Sequence, residues 1–156
     1  MSVAKNPHAV LFCCNFNRVR SVMAEALLKR HVGKHVFVDS CGVKSMPEEE
    51  KEGFDVDPFV FAVLLEVGWD VAHHRSKTFE ELNDDSFDLV ISLTPQAQHR
   101  AVELARGQAT EIEYWPTFDP TIVEGSRDHR LAAYREVRDA LEARIAQRFE
   151  KLAFWE

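Results

Sequence analysis

Hydrophobic positions follow two alternating rhythms along this chain. Residues 9–13, "AVLFC", form an unbroken apolar run, as a strand buried on both faces of a parallel sheet requires. From Ser21 to Arg30 the spacing turns helical, with Val22, Ala26 and Arg30 on one side, Met23 and Leu27 on another, and Gly33 as the stop. The alternation then repeats. A short second strand is expected from Val36 to Asp39 with a turn at "SCG", then a helix from Pro58 to Val67 stopped by Gly68. A strand from Phe87 to Leu93, a helix from Pro95 to about Arg106 and a short strand from Glu111 to Tyr114 come next. The last helix is expected to open at Ser126 as N-cap. Its apolar positions Leu131, Tyr134, Val137, Leu141, Ile145, Phe149 and Leu152 recur every three or four residues and make one core-facing stripe.

Strands alternating with helices predict an α/β, doubly wound parallel sheet with helices on both faces. Such sheets bind ligands at the carboxyl ends of their strands, near the point where strand order reverses. The loop after the first strand is one such place. At 156 residues the chain is expected to be a single domain, residues 1–156, with a full core. Hydrophobic residues at 46% and charged residues at 29% are the balance of an ordinary soluble protein.

The formal charge of -7, with no compensating cluster of Lys and Arg, argues against nucleic acid or an anionic membrane as a general partner. The acidic run "PEEEKEGFDVD" reads as a solvated loop. Three cysteines, two of them adjacent, make neither a disulfide framework nor a zinc pattern and suit a reducing cytoplasm. The first apolar run is too short for a signal peptide, and "PFVFAVLLEVGW" is too short for a membrane span and is interrupted by Glu66. His73 and His74, read as neighbours in a strand, would point opposite ways and have no partners at ligand spacing, so no metal or other cofactor is expected.

Arg20 stands six residues after Cys14, and Ser21 follows it. The spacing alone recurs by accident; its place between a buried strand and a helix gives it meaning. A loop there can curl so that backbone N–H groups converge, and the helix start adds its positive end. The loop Asn15, Phe16, Asn17, Arg18, Val19, Arg20 and Ser21 is therefore the expected cradle for a phosphate-sized anion. Arg20 would hold two anion oxygens with its planar fork. Cys14 lies at the floor, in surroundings that suit a nucleophilic thiolate. Cys13, one step back along the strand, is expected to be an inert core residue. Asn17 would brace the turn, and Ser21 would cap the helix or donate to the sulfur. Breaking a phosphate ester also needs a proton for the leaving oxygen, and Asp119 in "YWPTFDP" sits in a loop at the same strand ends.

"VLFCCNFNRVRS", "DSCGV", "GWDVAHHRSK", "DLVISL" and the late "DP" together resemble the low-molecular-weight protein tyrosine phosphatase family, which also includes a class of arsenate reductases. The resemblance implies four parallel strands flanked by helices. It further implies Cys14 as nucleophile, Arg20 as phosphate clamp, Asn17 and Ser21 as loop supports and Asp119 as general acid. The chain departs from the family at several places. Phe16 stands where glycine is usual, Arg18 where an apolar residue is common, and Val19 in place of a second loop cysteine. Thr121 and Ile122 follow Asp-Pro where phosphotyrosine phosphatases carry aromatics, and Thr94 replaces an acidic residue.

Hydrolysis of a phosphomonoester, on a protein or a small molecule, through a phosphocysteine is the first function expected. Arsenate reduction on the same loop is the alternative; it needs a further thiol, and "DLVISLTPQAQ" lacks the resolving cysteine pair of thioredoxin-coupled reductases. A non-catalytic anion-binding module is the third, with Phe16 as its motive. The pattern leaves the oligomeric state open.

Overall fold

The computed structural model describes residues 6–83 and 86–152; the expected single domain also takes in residues 1–5, 84–85 and 153–156, which lie outside the described residues. Four parallel strands form one sheet in the order β2-β1-β3-β4. They are β1 (Ala9–Cys14), β2 (Phe37–Gly42), β3 (Leu89–Ser92) and β4 (Glu111–Tyr114). The helices are α1 (Arg20–Val32), α2 (Glu48–Lys51), α3 (Pro58–Leu65), α4 (Pro95–Ala105) and α5 (Arg127–Arg148).

β1 is continuously apolar because it has a strand on each side and a layer on each face. Val10, Phe12 and Cys14 face the core beneath α1, α3 and α5, and Leu11 and Cys13 face the smaller core that includes Ala97 and Ala101 of α4. The two adjacent cysteines are thereby sent to opposite faces by strand alternation. After β1 the chain adds β2 on one side and β3 on the other, so strand order reverses beside the loop that follows β1.

Local sequence accounts for most element ends. Gly33 ends α1 with φ 63 and donates its N–H to the Lys29 carbonyl. Asp57 caps α3 through Oδ1, which accepts from the Phe59 N–H at 2.8 Å, with Pro58 at the first helical position. Ser126 caps α5 by accepting from the His129 N–H at 3.1 Å. The α5 stripe from Leu131 to Phe149 is buried, whereas Leu152 lies past the helix, half-buried, with its N–H on the His31 carbonyl. Truncating a stripe residue such as Leu141 would cost about 2–5 kcal/mol.

Several expected bounds move. β1 runs on to Cys14, and β2 starts at Phe37 and extends through the expected "SCG" turn to Gly42, because Val43 N–H still bonds to the Cys14 carbonyl. α3 stops at Leu65, two residues early, β3 is only Leu89–Ser92, and α4 ends at Ala105. The acidic run is not wholly a loop: residues 48–51 form the short, exposed α2. His73 and His74 lie at a turn and not in a strand. Among the described residues no helix is long and apolar enough to cross a membrane.

Candidate active site

Because β1 ends at Cys14, the sulfur sits at the carboxyl edge of the central strands and the next residues turn back over it. Asn17 makes the turn, in the left-handed region at φ 56, and its side chain holds it there. Its Nδ2 donates to Ser21 Oγ and Ser40 Oγ, both at 2.8 Å, and its Oδ1 accepts from the Lys77 N–H at 3.1 Å. The Asn17 carbonyl is 2.9 Å from His74 Nε2, whose basicity burial depresses. Ser40 Oγ in turn donates to Glu25. A buried polar network with every member paired fixes one geometry, and here it fixes the loop from behind.

The loop packs so closely on β2 that a Cβ on Gly42 would lie 2.8 Å from both Asn17 N and Phe16 C and 2.9 Å from Asn15 O. Glycine is required there for space. Among the described residues, the N–H groups of Phe16, Asn17, Arg18 and Val19 donate to no protein acceptor, as in a nest that receives an anion. Phe16 has no positive φ, so the glycine usual at that place is not needed for this backbone. It is among the residues that line a cavity with Cys14, and Lys44 Nζ lies 5.6 Å above its ring. Asn15 Oδ1 accepts from Thr94 Oγ1 at 2.8 Å, which links the loop to the cap of α4.

Cys14 is 3.0 Å from Ser21 Oγ. Ser21 thus does not cap α1, whose N-cap, Val19, has no side-chain bond; its hydroxyl is free to donate to the sulfur. Arg20 opens α1, and its Nη1 donates to the Thr117 carbonyl at 3.1 Å while Nη2 stands 3.9 Å from Asp119 Oδ2. The segment bearing Asp119 prolongs the sheet edge, since the Trp115 N–H bonds to Ser92 O and the Thr117 N–H to Leu93 O. Asp119 Oδ1 accepts from Thr121 N–H at 3.0 Å and Thr121 Oγ1 at 2.7 Å, which aims Oδ2 at the mouth. Cys14 and Arg20 from one loop and Asp119 from a distant one line one cavity of about 250 Å³.

Arg18 belongs to the loop as expected, and its side chain has a further use. Its guanidinium turns out of the cradle and bonds to the segment before α3, leaving only its N–H to the anion site. That segment, the acidic run with Met46 just before it, adds Met46, Glu50 and Asp57 to the cavity wall. Asp57 Oδ2 accepts from the Tyr134 hydroxyl at 3.1 Å. Sequence reasoning missed Ser40, Gly42, His74, Lys77, Thr94 and Thr117 as supports; "DSCGV" and "GWDVAHHRSK" carry four of them as motif without stating a role. A larger cavity of about 350 Å³, lined by Lys29, Trp69 and His74 among others, lies behind the loop and holds no thiol.

Cys13 and Cys41 are both fully buried on the α4 side, and burial pushes both thiols well up from the ordinary range. They pair in register across β1 and β2. Neither lines the cavity.

Comparison with known proteins places this geometry. The family model for low molecular weight phosphotyrosine protein phosphatase matches residues 9–154. An arsenate reductase of Halalkalibacterium halodurans is 30% identical over 140 residues, covering 90% of this chain and 94% of that protein. A solved arsenate reductase in its oxidized state has a TM-score of 0.72 at 28% identity, covering 90% of this chain and 95% of that one. The arginine phosphatase YwlE, solved as a mutant with a phosphorylated active-site serine, has a TM-score of 0.67 at 26% identity, covering 89% and 91%. With the matched model spanning the sheet, the loop and Asp119, the chain belongs to the low molecular weight phosphotyrosine protein phosphatase family.

Proposed function

We propose that this protein hydrolyses a phosphomonoester through a covalent phosphocysteine at Cys14. The Cys14 thiolate attacks phosphorus, the bond from phosphorus to the leaving oxygen breaks, and Asp119 gives that oxygen its proton. Backbone N–H groups of residues 15–19 and the Arg20 fork hold the three remaining oxygens, where charge concentrates in the transition state. Water then attacks the phosphocysteine with Asp119 accepting its proton, inorganic phosphate forms, and the Ser21 hydroxyl donates to the departing sulfur.

One observation carries this reading: Cys14 is the single thiol that lines the cavity holding Arg20 and Asp119, and the other two are closed behind the sheet. A hydrolase needs one sulfur and an acid. A self-contained reductase needs a second sulfur that can reach the first.

Arsenate reduction is the second reading, favoured by the similarity to an arsenate reductase over nearly the whole chain. Cys14 would displace a hydroxide from arsenate, and an external small thiol would attack the Cys14 sulfur. The two sulfurs would leave as a mixed disulfide, their two electrons having reduced arsenic(V) to arsenite.

The test is hydrolysis of an aryl phosphate beside arsenate reduction with a small thiol, in wild type, Cys14→Ser and Cys13→Ser. The hydrolytic reading predicts phosphate release that Cys14→Ser abolishes and Cys13→Ser largely keeps. Thiol-dependent arsenite formation without ester hydrolysis would establish the second reading instead.

A further inference from the structure

Arg18 is only 7% exposed, yet among the described residues its guanidinium bonds to two carbonyls and a thioether and to no carboxylate. Nε donates to the Asp55 carbonyl at 3.2 Å, Nη2 to the Phe54 carbonyl at 2.9 Å, and Nη1 to Met46 Sδ at 3.1 Å. Its own carbonyl accepts from the Asp57 N–H at 3.2 Å. One loop residue thus makes four bonds to residues 46–57. A buried cation is costly unless it is paired or hydrogen-bonded, and here the bonds that offset the cost all come from residues 46–55.

Ahead of its Asp57 end this segment has few other ties. α2 buries no side chain, and Glu52 and Gly53 both take positive φ in the turn that follows it. The remaining ties to the rest of the molecule are the Ser76 N–H on Asp55 Oδ2 at 3.0 Å, buried Val56, and, at the far end, Asp57, which caps α3 and accepts from the Tyr134 hydroxyl at 3.1 Å. This same segment supplies Met46, Glu50 and Asp57 to the cavity above Cys14. Without it the cradle would still bind an inorganic anion, but nothing on that side would meet the part of a substrate beyond its phosphoryl group.

We propose that Arg18 is a positioning residue for substrate choice: it pins residues 46–57 as a wall that meets the organic part of a phosphoester. The proposal rests on the hydrolytic reading and extends it, because a wall of this kind serves an ester larger than phosphate or arsenate. Lysine at this place would keep the charge but lose the planar fork that serves three acceptors in different directions.

The experiment joins hydrogen exchange of the intact protein to a comparison of two esters, a phosphotyrosyl peptide and nitrophenyl phosphate, in wild type, Arg18→Met and Arg18→Lys. Amides of residues 47–57 should exchange at least tenfold faster in Arg18→Met while those of β4 and α5 keep their rates. The ratio of kcat/KM for peptide over nitrophenyl phosphate should fall about tenfold, mainly through KM, and Arg18→Lys should fall between. Unchanged exchange in residues 47–57 in both variants would overturn the proposal. So would equal losses on the two esters, since Arg18 would then act on the cradle itself. Wild type that hydrolyses neither ester would refute the hydrolytic reading and substrate choice with it, whereas the exchange rates decide by themselves whether Arg18 holds the segment.

Discussion

Alanine at Gly42 adds one methyl group and alters none of the reactive side chains, yet it should damage the cradle severely. The new Cβ would lie 2.8 Å from Asn17 N and Phe16 C and 2.9 Å from Asn15 O. All three are backbone atoms, so no side chain can swing aside. Ordinary contact begins at 3.4 Å, and the loop would have to retreat by about 0.6 Å. Gly42 itself has no positive φ, so the strand accepts alanine and the effect is purely steric. Overpacking of this kind costs about 1–3 kcal/mol of stability. Displacing reacting groups by about 1 Å costs on the order of 10²-fold in rate, so a shift of this size should lower kcat/KM on an aryl phosphate by about tenfold or more. Steady-state kinetics and thermal unfolding measure both quantities. Protection of Cys14 from iodoacetate by phosphate should weaken in parallel, because the same N–H groups move. Wild-type kcat/KM with unchanged stability would mean that the loop is not seated on Gly42 and would refute the reasoning.

Asp119→Ala should slow an alkyl phosphate far more than a nitrophenyl phosphate, because a good leaving group needs little proton transfer and general acid help is typically about 10² to 10⁴-fold; a flat response to the leaving group would remove Asp119 as the acid. The Asp128→Ala variant, altered at the start of α5, serves as the control and should respond equally on both esters. The Arg135 and Arg138 guanidiniums hold the Glu66 carboxyl at about 2, against an ordinary 4.5. A depressed carboxylate stabilises the fold fully above the unfolded value and loses that effect as pH falls through the folded one. Glu66→Gln should therefore lower the unfolding midpoint modestly at neutral pH, by an amount that shrinks between about pH 4.5 and 2 and vanishes below it; a difference independent of pH would contradict the pairing.

The elements read from the sequence were those set by nearby residues. Gly33, Ser126 and Pro58 act within one helical turn, and their effects on α1, α5 and α3 were visible in the pattern. The continuous burial of β1 announced a central strand in the same way. What the pattern could not show depends on residues brought together by the sheet. β2 reaches Gly42 because it pairs with the end of β1, and the "SCG" that resembles a turn locally is held straight by that pairing. Phe16 looked like a defect because glycine is usual there, but the positive φ falls on Asn17, which pays for it with bonds to Ser21, Ser40 and Lys77. Arg18 stood out in the sequence only as a charge where an apolar residue is common, because charge is legible in a sequence and direction is not. Its three acceptors lie 28 to 37 residues away. Cys14, Arg20 and Asp119 were legible as a set, two of them from one loop and the third from its place after a strand.

The central claim is that Cys14 carries the phosphoryl group between substrate and water. Asp119→Ala with nitrophenyl phosphate should still form the phosphocysteine but pass it slowly to water, since the residue that would activate that water is gone. Rapid acid quench followed by peptide mass spectrometry should then find one phosphate per chain on Cys14, with a matching burst of nitrophenol. Phosphate on Cys13, or a full burst with no phosphate on any cysteine, would contradict the account.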